Sequence, residues 1–192
     1  MGDFVVTVRG RAAHAGSDHQ LGRNAIEELA RQILVIQNLT NYGKGTTLNV
    51  GVIRGGTATN VVPEEAVAEV DLRIMEPSEA ERILVALHAL KPTLDGTTIT
   101  ITGELNRPPM PFNDMMEATF EKARKLAAGI GMGLRASGTG GASDANFVAP
   151  MGIPVLDGLG AVGDGGHSER EFILKNSLPE RAALLATILR EW

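Results

Sequence analysis

The stretch "EAVAEVDLRIM", residues 65–75, decides the fold of the first half of the chain. Ala66, Ala68, Val70, Leu72 and Ile74 fall on one side of an extended segment, and Glu69, Asp71 and Arg73 on the other. Side chains alternate across a strand with period two, so this is a long strand with one buried face. Working outward, "TTLNVGVI" (46–53) alternates in the same way, with Leu48, Val50 and Val52 on one face, and residues 4–8 form another such run. "TTITIT" (97–102) is the fourth. Two amphipathic helices separate these strands. Residues 24–37 carry Ile26, Leu29, Ile33 and Ile36 at helical spacing, with Glu27, Glu28 and Arg31 between them. Pro77 and Ser78 open the second helix, where Ser78 and Glu81 have capping-box spacing and Ile83, Leu84, Leu87 and Leu90 form the stripe. The order strand, helix, strand, strand, helix, strand predicts a split βαβ, ferredoxin-like α/β domain: a four-stranded antiparallel sheet with both helices on one face.

This domain is expected to end near Asn106, giving domains 1–106 and 107–192. "NRPPMP" reads as a stiff linker, because prolines join neither a ladder nor a helix interior. Residues 114–128 predict a helix with Met116, Phe120, Ala123 and Ala127 inward. A glycine-rich run fills 129–144, "SDANFVAP" reads as a short helix, and "IPVLDGLG" (153–160) has the character of a strand buried in a parallel sheet. Ser177 and Glu180 suggest a second capping box, opening a last helix that runs to Arg190. This is about half of an α/β layer, since a buried parallel strand needs neighbours on both edges and helices on both faces.

The chain has 192 residues, 43% of them apolar and 21% charged, which fits a globular protein. Its net charge of −5 argues against a general nucleic-acid or anionic-membrane surface, since both need a basic field. No apolar run approaches the roughly 18 residues of a spanning helix. A cytoplasmic location is the expectation, with the periplasm left open. With no cysteine, any metal must be held by the four histidines and by carboxylates.

Three loops carry residues suited to chemistry. In "RGRAAHAGSDH" (9–19), His14 stands among small residues that leave its imidazole uncovered. His14, Asp18 and His19 could pass for a small metal site, but they share no helix face. "GGTATNVVP" carries Asn60, and "SGTGGASDA" and "GDGGHSE" carry Asp144 and His167. Neutral imidazole is a good zinc ligand, yet one histidine makes no site. His88 reads as structural. Arg73 either pairs with Glu69 or Asp71 or offers its guanidinium fork to a carboxylate. "SGTGGAS" fits neither a P-loop nor a dinucleotide fingerprint.

Taken in order, "AAHAG", "GGTATNVVP", "AEVDLR", "GGASDA" and "GHSE" resemble the zinc-dependent exopeptidase and deacylase family, which includes glutamate carboxypeptidases, acetylornithine deacetylases and succinyl-diaminopimelate desuccinylases. The linker "RPPMPFN" looks most like the glutamate carboxypeptidase branch. The resemblance implies a dinuclear zinc hydrolase that cleaves an amide next to a free carboxylate, and a homodimer joined through the ferredoxin-like lid domain. It implies that His14 reaches into the partner subunit's site and stabilises the oxyanion, where charge develops. It further implies that Asn60 and Arg73 bind substrate, that Gly140, Gly141 and Ser143 line the pocket, and that His167 is the terminal ligand of one zinc.

The family's first catalytic half, with its His-x-Asp motif, bridging aspartate and Glu-Glu pair, has no counterpart here. The chain is therefore expected to be a C-terminal portion, inactive alone, with an apolar face exposed on residues 107–192. The competing reading is a non-catalytic dimerisation or binding module.

Overall fold

The computed structural model describes all 192 residues and divides them into two compact units, Met1–Pro109 with Thr139–Ala142, and Met110–Gly138 with Ser143–Trp192. The first unit is built on four strands and two helices: β1 (Gly2–Arg9), α1 (Ala25–Gln37), β3 (Thr47–Gly55), β5 (Glu65–Arg73), α2 (Pro77–His88) and β6 (Thr98–Leu105). Two short strands, β2 (Ala13–His14) and β4 (Val61–Val62), lie between them in sequence and pair with each other. The main sheet runs β3-β5-β1-β6, antiparallel at every pair, which is ferredoxin-like topology.

Alternation in the strands puts Phe4, Val6 and Val8 of β1 and Ala66, Ala68, Val70 and Leu72 of β5 into one core. Leu29 and Ile36 of α1 and Ile83 and Leu87 of α2 cover them. Burying each large apolar side chain contributes about 1.5–3 kcal/mol, so these two central strands hold the unit together.

Two apolar positions depart from the simple pattern. Val52 is exposed because a bulge between Val50 and Val52 shifts the register against β5, and an extra residue turns the following side chain outward. Ile26 is exposed on the first turn of α1, and Ala25 takes the inward place.

Two buried carboxylates replace what the helix patterns suggested. Glu28 is fully buried and accepts from the Thr93 and Leu94 N–H groups, the Thr93 hydroxyl and Gln32 Nε2. It thereby ties α1 to the chain leading into β6. Burial works to raise its pKa, but these hydrogen bonds win and hold the carboxyl below its ordinary value. The capping box expected at Ser78 and Glu81 does not form. Pro77 occupies the first turn of α2, Glu76 precedes it without a side-chain cap, and Glu79 turns inward instead. Arg82, Thr46 and Lys44 donate to its carboxylate, and they lower its pKa to about 2, Arg82 contributing most.

The second unit packs α3 (Asp114–Gly129) on α5 (Ser177–Glu191) through Ala123, Ala127, Leu184 and Ile188. Asn113 caps α3 by accepting from the Met116 N–H. Met116, Ala123 and Ala127 are buried as expected, and Phe120 only partly. A short helix, α4 (Ala145–Val148), and a small hairpin of β7 (Gly163–Asp164) and β8 (Phe172–Ile173) complete it.

Residues 153–160 form no strand, contrary to the sequence expectation. A parallel strand needs ladder partners, and no strand in this unit supplies them. The capping box at Ser177 and Glu180 is also absent. The Ser177 hydroxyl instead donates to the Leu174 carbonyl and accepts from the Val162 N–H. Phe147, Met151, Ile153, Phe172, Leu185 and Leu189 are exposed, and Leu189 is 84% accessible.

Candidate functional site

The loop that carries His14 begins at Gly10, where only glycine fits. A Cβ there would lie 2.0 Å from the Arg23 carbonyl oxygen. The chain then exchanges two backbone hydrogen bonds with Arg23 through Arg11 and enters β2. β2 pairs His14 with Val61 and Ala13 with Val62, and the Ala15 N–H donates to the Asn60 carbonyl at 2.9 Å. Two loops far apart in sequence are thus stitched together, and His14 and Asn60 stand side by side.

The His14 ring is exposed but held. Its Nδ1 accepts from the Gly16 N–H at 3.0 Å and the Ser17 N–H at 3.1 Å. Asp18 does not bond His14 through its carboxylate, which accepts from the Ser17 hydroxyl. An open groove of about 600 Å³ runs beside the loop, lined by Ala15, His19, Ile26, Gly55, Thr57 and Pro63, among others.

Arg73 lies at the other end of the sheet. In β5, Glu65 pairs with Arg9, next to the His14 loop, whereas Leu72 pairs with Gly2. Eight residue steps at about 3.3 Å put Arg73 roughly 25 Å from the His14 end. Its guanidinium binds Asp71 in a fork, Nε to Oδ1 at 2.6 Å and Nη2 to Oδ2 at 2.7 Å. The pairing with Asp71, one of the two alternatives in the sequence, is therefore present and raises the arginine's pKa. Glu69, the other candidate partner, pairs with Arg54. Nη1 is not engaged by Asp71 and lies 3.5 Å from Met1 Sδ. Gly140 is brought to this same end, since a Cβ on it would sit 3.9 Å from Arg73 Cβ. Its neighbour Gly141 is turned by a hydrogen bond from its N–H to the Thr139 hydroxyl.

The remaining candidates belong to the second unit. The Ser143 hydroxyl donates to Asp157 Oδ2 at 2.8 Å, and the Ser143 N–H donates to Asn146 Oδ1. His167 sits exposed in the connection between β7 and β8 with φ +63°, a left-handed conformation that disfavours side chains with a Cβ. Gly165 also takes a left-handed conformation, with φ +73°, so this connection turns at the glycine as well as at the histidine. No group of three or more His, Asp or Glu side chains gathers anywhere in the chain, so the residues present do not fit a complete metal centre.

Sequence reasoning named His14 but missed what holds it, because backbone N–H groups leave no mark in residue type. The only hint was the small residues around the ring.

A model of the peptidase dimerisation domain matches residues 1–103. The chain belongs to this family, that of the M20 peptidases. Carboxypeptidase G2 of Pseudomonas sp. is 26% identical over 161 residues, covering 81% of this chain and 38% of its own. An uncharacterised protein of Bacillus subtilis, YqjE, is 30% identical over 154 residues, covering 77% and 40%. Among solved structures, aminopeptidase PepT of Bacillus cereus superposes with a TM-score of 0.79 at 26% identity, over 99% of this chain and 51% of its own. The chain thus spans about 40% of these curated M20 relatives and half of that solved chain. No helix is long and apolar enough to cross a membrane.

Proposed function

We propose that the chain is the dimerising and substrate-binding portion of an M20 metallohydrolase that cleaves an amide next to a free carboxylate. An N-acyl glutamate or a peptide with C-terminal glutamate is the favoured substrate, from the likeness of the "RPPMPFN" linker to glutamate carboxypeptidases. The observation that carries this reading is the sorting of candidate residues to opposite ends of one sheet. His14 and Asn60 share one end, and Arg73 and Gly140 share the other, roughly 25 Å away by strand geometry. A small substrate does not span that distance. One substrate can meet both groups only if they come from two copies of the chain.

In a homodimer, His14 Nε2 and Asn60 of one subunit then face Arg73 of the other. His14 donates to the oxygen on which charge builds as the amide carbonyl is attacked, and a donor so placed acts where it is needed most. Arg73 Nη1 meets the substrate carboxylate, with the Asp71 fork holding the guanidinium plane. Gly140 and Gly141 bring no side chain to the Arg73 end and leave room there for the acyl group. His167 would supply a single zinc ligand. The other zinc ligands and the general base lie outside these 192 residues, so no step through the metal is derived for this chain. The domain limits in this reading are 1–106 for the dimerisation domain and 107–192 for the second part of a catalytic domain. The cytoplasm is the proposed location.

Subunit mixing tests the reading. The chain is expressed joined to the sequence encoded upstream of it, and N-acyl glutamate hydrolysis is assayed. His14→Ala alone is expected to lower kcat about 10²–10³-fold, as for loss of an oxyanion donor. Arg73→Ala is expected to raise KM for the carboxylate substrate. Random mixing of the two impaired variants, assayed at substrate far below the raised KM of Arg73→Ala, should restore about a quarter of wild-type activity, because half the dimers are mixed and each holds one intact site. No restoration would refute the two-subunit site. Full activity in His14→Ala would refute the role of the imidazole.

A further inference from the structure

We infer that the backbone amides of Gly16 and Ser17 are the positioning groups of His14, fixing its tautomer and aim. Nδ1 faces two N–H donors at 3.0 and 3.1 Å. Backbone amides cannot reverse roles, so Nδ1 must accept, and in the neutral ring the one proton sits on Nε2. Nothing in the chain accepts from Nε2, so this N–H points out of the loop as a donor awaiting an acceptor. A hydroxyl or carboxylate beside Nδ1 could adapt to either tautomer. Two backbone N–H groups hold only one.

The loop is built to keep these amides in place. The Ala15 N–H donates to Asn60, the Asp18 N–H to the His14 carbonyl, and the Leu21 N–H to the Asp18 carbonyl. The Ser17 hydroxyl closes on Asp18 Oδ2 at 2.8 Å. Gly16 serves a second purpose. A Cβ there would lie 3.3 Å from His14 Cε1 and 3.4 Å from Nδ1, so the ring would have to give by a few tenths of an ångström. The absent side chain leaves the ring seated on its amides without that displacement. His19, five residues on and also exposed, has no partner for either ring nitrogen and serves as an internal control.

The clamp stands on geometry alone, and only its use in oxyanion stabilisation rests on the proposed function. The test is ¹⁵N NMR of the histidine rings in the 192-residue chain, at a pH where they are neutral. The expected result is an unprotonated His14 Nδ1 and a protonated Nε2, with scalar coupling across the hydrogen bond to the Gly16 or Ser17 amide nitrogen. His19 should show averaged tautomers and no coupling. Gly16→Ala should weaken the His14 coupling and shift Nδ1 while leaving the sheet resonances unchanged. A proton on Nδ1, or tautomer averaging at His14 like that at His19, would overturn the clamp. Because this readout needs no turnover, a clamp that fails is distinguished from an oxyanion role that fails, which the His14→Ala rate reports.

Discussion

Replacing Glu28 with alanine tests how the first unit is tied together. The carboxylate is fully buried and serves Gln32 Nε2, the Thr93 N–H and hydroxyl, and the Leu94 N–H, the last at 2.7 Å. Its removal leaves these donors unequal. Thr93 is exposed, so water can replace the carboxylate there, and Gln32 keeps its second acceptor at the Lys91 carbonyl. The Leu94 N–H is half-buried and has no other acceptor at hand. An orphaned donor costs about 1–3 kcal/mol, and the lost charged hydrogen bonds add to this, while relief of carboxylate desolvation offsets part of it. The net loss is about 2 kcal/mol. With a urea m value of about 2 kcal/mol/M for a unit of this size, the midpoint should fall by roughly 1 M. Glu28→Gln keeps one acceptor oxygen and should lose about half as much. Unfolding is followed by circular dichroism, with hydrogen exchange in β1 and β6 to assign the transition to this unit. A midpoint change below about 0.2 M for the alanine variant would refute the claim that Glu28 anchors the chain entering β6.

Other perturbations probe separate parts of the molecule. The Glu79 pKa is depressed to about 2 from an ordinary 4.5, so its stabilisation is complete above about pH 4.5 and is lost as pH falls toward 2. Glu79→Gln should flatten the acid limb of a stability–pH curve in that window, and an unchanged limb would contradict the Arg82–Thr46–Lys44 assignment. Gly10→Ala drives a Cβ to 2.0 Å from the Arg23 carbonyl, and should lower stability by about 3 kcal/mol or more and blur the His14 resonances. A fully folded variant with an unmoved His14 loop would show that the crossing at Arg23 is not tight. Leu185→Lys with Leu189→Glu should reduce self-association in analytical ultracentrifugation while changing stability by less than about 0.5 kcal/mol, because both side chains are solvent-exposed. A large loss of stability would mean that these residues are buried in solution.

Period-two alternation and helical stripes were enough to read the ferredoxin-like unit, because its buried faces are made by neighbours in one continuous chain. Val52 escaped that pattern, since a single extra residue in β3 reverses the facing of the residues after it and leaves no trace in hydrophobicity. Glu28 escaped it too: its partners Thr93 and Leu94 lie 65 and 66 residues away, and a glutamate bound by them looks in sequence like any solvated helix residue. Residues 153–160 show the opposite failure. Their apolar pattern describes a strand that the unit has no ladder to accept. Of the candidate site, the motifs named the residues, but only the register of β5 separates Arg73 from His14 by the length of the sheet. The same alternation that made the strand legible gives no sense of which end meets which ligand.

The most direct test of the central claim is elemental analysis of the purified 192-residue chain for zinc, paired with an assay of N-acyl glutamate hydrolysis. Far less than one zinc per chain and no turnover are expected, because no group of three or more His, Asp or Glu side chains gathers in the chain to hold a metal. Stoichiometric zinc together with turnover would contradict the claim, since the chain would then complete by itself a site that the proposed function divides between this segment and another.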